Sequence, residues 1–421
     1  MVKGMRWRIP SLAVLLLSVN LHSVAVSRAT LTGKVTEVDD RPLGHVTVLV
    51  YHAGVKTGYS AFCPSCYRDC GKRAVTDAAG NFRIDGLSRD LWFELLVVHD
   101  GFMPTFVKRV DPLKGPAPTA VLQVRPPITG PSSVVRGQVE DTFGTPMPDA
   151  TVTTFAIQAG AASIYGAPGI DPIAVTNDEG FFERSYAGPA AKMALIVEAR
   201  GMAPKFVILP TGTERQKVVV SLGALVRGRV MKDGKPIAGI EVGLIPRDPW
   251  VGGGDLDIKG SVYDEIRIGT RDDGSFAIPN VPAAGEWELF PTMESSSSIG
   301  AATPVAISTV RDNQELNIGD IQIEHGYYIR GKLTPADGKP IQIGTRIYIT
   351  CDSTRDTQSV ILSPNGAFQF DDLGPGDYTI WSNVKGYKAL EDDHVLKVSV
   401  SRDMDAFDAI LQPTAPSQAQ H

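Results

Sequence analysis

The chain is predicted to be all-β, built as four tandem β-sandwich domains behind an N-terminal signal peptide, and three observations carry this. A strand opening of the form apolar-x-Gly-x-apolar recurs four times: Leu31-Thr32-Gly33-Lys34-Val35, Val135-Arg136-Gly137-Gln138-Val139, Val226-Arg227-Gly228-Arg229-Val230 and Ile329-Arg330-Gly331-Lys332-Leu333. A tight Gly turn leading into Phe follows each one: Thr76-Asp77-Ala78-Ala79-Gly80-Asn81-Phe82, Thr176-Asn177-Asp178-Glu179-Gly180-Phe181-Phe182, Thr270-Arg271-Asp272-Asp273-Gly274-Ser275-Phe276 and, more loosely, Ser363-Pro364-Asn365-Gly366-Ala367-Phe368. Between the landmarks the apolar residues alternate with period two, and no long amphipathic helix is legible. A repeat of this length is a whole small domain, so 421 residues divide into four units of roughly 100, each large enough for its own two-layer core.

The elements follow in order within a unit. After the opening strand, Pro42, Pro146, Pro236 or Pro340 sets φ at a turn where no ladder donor is needed. A half-buried strand follows, as in Thr47-Val48-Leu49-Val50-Tyr51 or Arg346-Ile347-Tyr348-Ile349-Thr350, marked by alternation and β-branched residues. The turn Gly occupies a position that needs positive φ, and the Phe two residues on re-enters the core. A further strand carries Trp92, Trp287 or Trp381, all three read as core, and a last strand closes each unit. About seven short strands with Gly and Pro turns argue a two-sheet sandwich, in keeping with 42 Gly and 30 Pro.

Residues 1–29 read as a secretory signal: Lys3, Arg6 and Arg8 precede an apolar run from Leu12 to Leu17, then small residues near Ala25 to Ala29. Cleavage after Ala25, Ser27 or Ala29 fits, with Ala29 favoured. The remaining boundaries are 30–124, a linker at 125–133, 134–223, 224–325, 326–413 and a polar tail at 414–421. The run is short for a spanning helix, so no membrane span is expected after cleavage. The formal charge of −6 gives no electrostatic reason to bind nucleic acid. The expected location is secreted, periplasmic or on the cell surface.

Gly-x-Val, then Gly or Lys before Pro and a strand, then Thr-Asp-x-x-Gly-x-Phe, then a step such as Leu373-Gly374-Pro375-Gly376-Asp377-Tyr378, resemble the carboxypeptidase regulatory-like domain, a transthyretin-like β-sandwich. The resemblance covers Ala29 to about Pro413. Unit 4 departs from it with Leu362-Ser363-Pro364-Asn365, and unit 2 has Asn177 in place of Asp. It implies transthyretin/Ig-like sandwiches of a module that is usually non-catalytic, appended to enzymes or arrayed on secreted proteins, and similar to starch-binding-type modules.

Candidate chemistry concentrates in inserted loops. Cys63-Pro64-Ser65-Cys66-Tyr67-Arg68-Asp69-Cys70 places three thiols in one loop, open to three readings: a disulfide, favoured by export; a metal site needing a fourth ligand from Cys351, His45 or His52; or a redox or intermolecular thiol with Lys72 and Arg73 nearby. Otherwise no cofactor is expected. Acidic groups at Asp255 and Asp257, and at Glu391, Asp392, Asp393 and His394, lack the spaced ligand ladder of a calcium loop. Tyr165, Trp250 and Tyr263 on inserted loops are candidates for stacking on sugar or peptide. A Lys–Asn crosslink of the kind used by Cna-type surface modules would draw on Lys34 or Lys332, but no Asn and acidic partners match.

His-Glu-x-x-His, Gly-x-Ser-x-Gly and a phosphate-cradling Gly-Lys-Ser/Thr loop are all absent. The sequence therefore points to a non-enzymatic scaffold that holds loops outward toward an extracellular or envelope polysaccharide or protein. The rival is a redox or metal protein built on Cys63, Cys66 and Cys70.

Overall fold

The computed structural model describes residues 28–58, 67–115, 117–128, 130–159, 162–165, 173–186, 188–247, 265–382, 384–389 and 395–414. The chain forms four small β-sandwiches in series. In unit 1 a three-stranded sheet (Asn81–Ser88, Arg28–Glu37, Thr119–Leu122) faces a four-stranded one (Arg73–Val75, Thr47–Val55, Leu91–Val98, Thr105–Val110). Units 2, 3 and 4 repeat this plan around their own first strands, Val134–Glu140, Ala224–Lys232 and Tyr327–Pro335. In every unit the first strand pairs antiparallel with the strand after the Gly turn and parallel with the closing strand. That parallel pairing has no local sequence signature, because its partners lie at opposite ends of the unit.

Each unit buries its own apolar cluster, led by Phe93 and Leu95, by Met193 and Leu195, by Trp287 and Leu289, and by Phe370 and Ile380. The two landmarks of the repeat prove to be cross-strand partners: Gly33 faces Phe82, Gly137 faces Phe182, Gly228 faces Phe276 and Gly331 faces Phe368. The ring lies directly over the glycine, so that a Cβ on Gly33 would stand 2.4 Å from Phe82 and one on Gly137 would stand 2.4 Å from Phe182. The turn glycine is needed twice over at Gly80, where φ is +77° and a Cβ would meet the Val35 carbonyl oxygen at 2.4 Å.

The Thr of the second landmark is a buried knot. The Thr76 hydroxyl donates to the Leu43 carbonyl at 2.7 Å and accepts from the Val46 N–H at 2.9 Å, tying the Pro turn to the edge of the other sheet. Thr176 and Thr270 repeat both bonds. In unit 4 the equivalent position is Leu362, which joins the core instead and explains that departure from the pattern. Asn177 is equally harmless, since its side-chain oxygen accepts from the Glu179 and Phe181 amides as Asp77 does from Ala79 and Asn81.

Two tryptophans correct the expectation of burial. Trp287 is core, its indole N–H donating to Thr309 Oγ1 at 3.0 Å. Trp381 is 41% exposed, because Tyr378 and Ile380 take the inward positions of its strand. Trp92 is half-buried on the outer side, beside Lys56 and Arg109, while Phe93 and Leu95 point in.

The units meet in two ways. In units 3 and 4 the strand after the Gly turn carries a bulge whose non-Gly residue has positive φ, Asn280 (+57°) or Asp372 (+54°). Each receives the preceding unit: Asn280 Nδ2 donates to the Gly201 and Leu222 carbonyls at 2.9 Å, and Asp372 Oδ2 accepts from the Ser298 N–H at 2.7 Å. In unit 1 the same bulge, at Gly86, is closed by the base of its own cysteine loop. Lys72 Nζ donates to the Gly86 carbonyl, and Asp69 accepts from the Ser88 N–H at 2.8 Å. Unit 2 shows no such register shift, and unit 1 packs against it by a sheet face instead.

The expected signal segment up to residue 27 lies outside the described residues. Arg28 and Ala29 belong to the first strand: Ala29 is 7% exposed, and Arg28 Nη1 lies 3.1 Å from the buried Asp69 carboxylate. Cleavage after Ala29 would remove both contacts. If the expected signal is removed, an intact-mass measurement is expected to find the new N-terminus at Val26 or Arg28, and one at Thr30 would show those contacts to be dispensable.

Candidate functional site

The outer face of the four-stranded sheet of unit 1 carries Leu49, Tyr51, Leu96, Val98 and Phe106, and these pack against Ile173 and Val175 of unit 2. The Tyr51 hydroxyl donates to the Glu198 carbonyl at 3.1 Å and bonds Thr151 Oγ1 at 3.1 Å, and burial raises its pKa well above the ordinary tyrosine value. Arg73 reaches across to Asp149 at 2.6 Å. This contact fixes the two units at a definite spacing and leaves a groove of about 520 Å³ beside it, within the usual size of ligand clefts.

Four arginines line that groove: Arg73, Arg125, Arg136 and Arg215. Arg136 is locked, with Nε on Glu183 at 2.7 Å and Nη1 on the Gly212 carbonyl at 2.9 Å. The guanidinium of Arg215 stacks on the Phe181 ring with its carbon 4.0 Å from the centroid, which orients the plane and leaves its N–H edge open. Arg125 donates to the Phe102 carbonyl at 3.3 Å. Neither Arg125 nor Arg215 pairs with a carboxylate among the described residues. Asp100 and Asp178 line the same groove, so it offers both signs of charge around an aromatic ring. The arrangement suits recognition by planar hydrogen bonding, and no residue in it has the geometry of a nucleophile with its base.

The residues singled out in the sequence fare differently. Cys63, Cys66, Trp250 and Tyr263 lie outside the described residues, as do Asp255, Asp257 and the group from Glu391 to His394. Tyr165 ends the short strand Ala162–Tyr165, and its side chain lies outside the description too. Cys70 is 2% exposed within the unit 1 core, and burial pushes its thiol up, opposite to the shift that makes a reactive thiolate. Cys351 belongs to the unit 4 core, so the two are not brought together. His52 Nδ1 is engaged with Glu94 Oε2 at 2.5 Å, and His45 is an exposed turn residue at φ +60°. Among the described residues no group of three or more His, Cys, Asp or Glu is placed to hold a metal. Lys34 and Lys332 both point to solvent, away from the interior where a crosslink to Asn would form. Sequence reasoning missed Arg125, Arg136, Phe181 and Arg215, which come from the linker and from separate strands of unit 2 and share no local pattern. The Phe181-Phe182 doublet is the one trace of them, since only its second ring is needed for the core.

No family model matches the chain, and no curated protein does. Among solved structures, a streptococcal ancillary pilin is 12% identical, over 67% of this chain and 99% of its own, with a TM-score of 0.23. The Bacillus anthracis TIE protein is 11% identical over 93% of this chain and 75% of its own, with a TM-score of 0.18. GBS52, the minor pilin of Streptococcus agalactiae, is 10% identical over 47% and 99%, with a TM-score of 0.25. Such identities and scores do not decide what this chain binds. What stands on its own geometry is an array of four β-sandwiches in which no helix among the described residues is long and apolar enough to cross a membrane.

Proposed function

We propose that the chain is a secreted or envelope-surface recognition scaffold of carboxypeptidase regulatory-like, transthyretin-like modules, and that the groove between units 1 and 2 is its main contact surface. The observation that carries this is the pair of oriented arginines, Arg125 and Arg215, beside Phe181 in a groove whose walls are held by Arg73–Asp149 and Arg136–Glu183. Preorganised donors lose little freedom on binding, so their bonds count fully toward affinity. The strand order supports the transthyretin-like reading, since in each unit the first strand and the long strand after the Pro turn lie in different sheets, whereas immunoglobulin constant domains place their first two strands in one. Tyr165, Trp250 and Tyr263 of the inserted loops are proposed as additional stacking residues for sugar or peptide. The buried Cys70 thiol weighs against a redox role for the cysteine loop.

Arrays of glycans and of surface proteins, probed with the full chain, test the proposal. Arg215→Ala is expected to weaken the strongest hit at least tenfold while leaving the thermal midpoint unchanged, because Arg215 is exposed and supports no core contact. Unchanged binding by this variant would remove the groove from the mechanism.

A further inference from the structure

The outer faces of units 1 and 4 can be compared position by position. In unit 1, Leu49 and Leu96 stand opposite each other across two strands, with Phe106 beside Leu96, and unit 2 covers them. The corresponding cross-strand pair in unit 4 is Tyr348 and Trp381, with Val395 beside Trp381. In both units these residues alternate with inward core residues, Val48 and Val50 in one and Ile347 and Ile349 in the other, so the positions are equivalent. Yet Trp381 is 41% exposed and Tyr348 half-buried. The aliphatic pair that seals a junction has become an aromatic pair open to solvent.

The surroundings change in the same sense. Where unit 1 has Tyr51 and Glu94, unit 4 has Thr350 and Thr379. Thr350 and Thr357 hydroxyls lie 3.0 Å apart, Arg346 Nη1 donates to Ser359 Oγ at 2.8 Å, and Thr379 Oγ1 donates to Asp352 Oδ1 at 2.7 Å. This face sets one aromatic pair, with Val395 and the exposed Ile361 at its edges, among hydroxyls, a guanidinium and a carboxylate. It fits a ligand with flat apolar faces and a rim of hydroxyls. Tyr348 and Trp381 are directly opposed, with Cβ atoms roughly 5 Å apart, so both rings rise from the same stretch of one sheet.

We propose that the Tyr348–Trp381 pair is a stacking platform for the pyranose rings of a polysaccharide, with Arg346 and Ser359 as hydrogen-bonding flanks. This rests on the reading of the chain as an outward-facing recognition scaffold and names one ligand class for it at a second site, remote in sequence from the groove.

Affinity electrophoresis of the full chain through gels holding soluble starch, xylan, hydroxyethylcellulose or polygalacturonate tests the platform. Retardation is expected in at least one gel, reduced at least tenfold in apparent affinity by Trp381→Ala, lowered by Tyr348→Ala and partly retained by Trp381→Phe. Thermal midpoints of the three variants report folding, and the Phe variant keeps the test intact if the Ala variant is destabilised. Unretarded migration in all four gels, or retardation indifferent to Trp381→Ala, overturns the proposal. So does a change in sedimentation on Trp381→Ala, which would mean that a second copy covers this face. Loss of the platform alone, with Arg215-dependent binding of another partner intact, would leave the scaffold reading standing; binding that depends on neither site would sink both.

Discussion

Gly137→Ala is expected to lower the stability of unit 2 by about 1–3 kcal/mol, the usual cost of forcing an extra carbon into a filled core. The new Cβ would stand 2.4 Å from the Phe182 ring and 3.1 Å from the Gln216 carbonyl, so it is wedged between a core aromatic and the backbone of the neighbouring strand. Phe182 cannot yield easily, being 5% exposed and packed among Val135, Val152 and Leu195. For a domain of this size each kcal/mol moves the midpoint by roughly 4–8 °C. Phe182→Ala is expected to cost more, about 3–5 kcal/mol, through the cavity it leaves. The diagnostic is the double variant: with the ring gone, Gly137→Ala has room and adds little. Calorimetry of the four proteins checks this, and strictly additive losses would show that glycine and ring do not act as a pair.

The junction between units 3 and 4 is expected to weaken as pH rises from about 4 to about 6. Asp356 of unit 4 is 4% exposed; its Oδ2 accepts from the Met293 N–H of unit 3 at 2.5 Å and its Oδ1 from the Thr357 N–H at 2.9 Å. Burial pushes its pKa up from 3.8 to about 6, against the lowering effect of those two N–H donors and of Arg267, whose nearest nitrogen is 3.9 Å away. Arg267 is shared with Glu241 at 2.8 Å and Glu265 at 2.9 Å, so little of its charge is left for Asp356. A carboxyl whose folded pKa lies above its unfolded value favours the fold most when protonated. The contribution is complete below about pH 4 and is lost as pH passes through about 6, amounting to about 3 kcal/mol for a shift of this size. Thermal unfolding at pH 4.5 and 7.5 should show the difference in wild type and little of it in Asp356→Asn. A variant that keeps the full pH dependence would place its origin elsewhere.

How much of this was legible in the sequence can be followed through particular residues. The apolar-x-Gly-x-apolar opening and the Gly turn before Phe mark every unit, but their contact does not follow from local rules. Gly137 and Phe182 lie on strands separated in sequence by strands of the other sheet, so only the tertiary pairing brings the ring over a residue without Cβ. Thr176 and Leu362 were both legible as positions, but not as a hydroxyl knot in one unit and a core residue in another, because that choice depends on what the opposite sheet supplies. Trp92 and Trp381 were misassigned for a related reason. Alternation says that neighbours face opposite ways, while the register across Tyr348 and Val395 says which way Trp381 faces.

What the amino-acid order alone determined is the repeat: four β units, their strand periodicity, their turn chemistry and the lack of any catalytic motif. These are properties of neighbours along the chain, separated by one to a few tens of residues. Tertiary structure alone decided the rest: the parallel seam between first and last strands, the two modes of junction, the arginine groove between units 1 and 2, and the exposure of Tyr348 and Trp381. Each of these depends on residues brought together from distant segments, where pairing is set by packing and by which surface another unit happens to cover, and neither is written in local pattern.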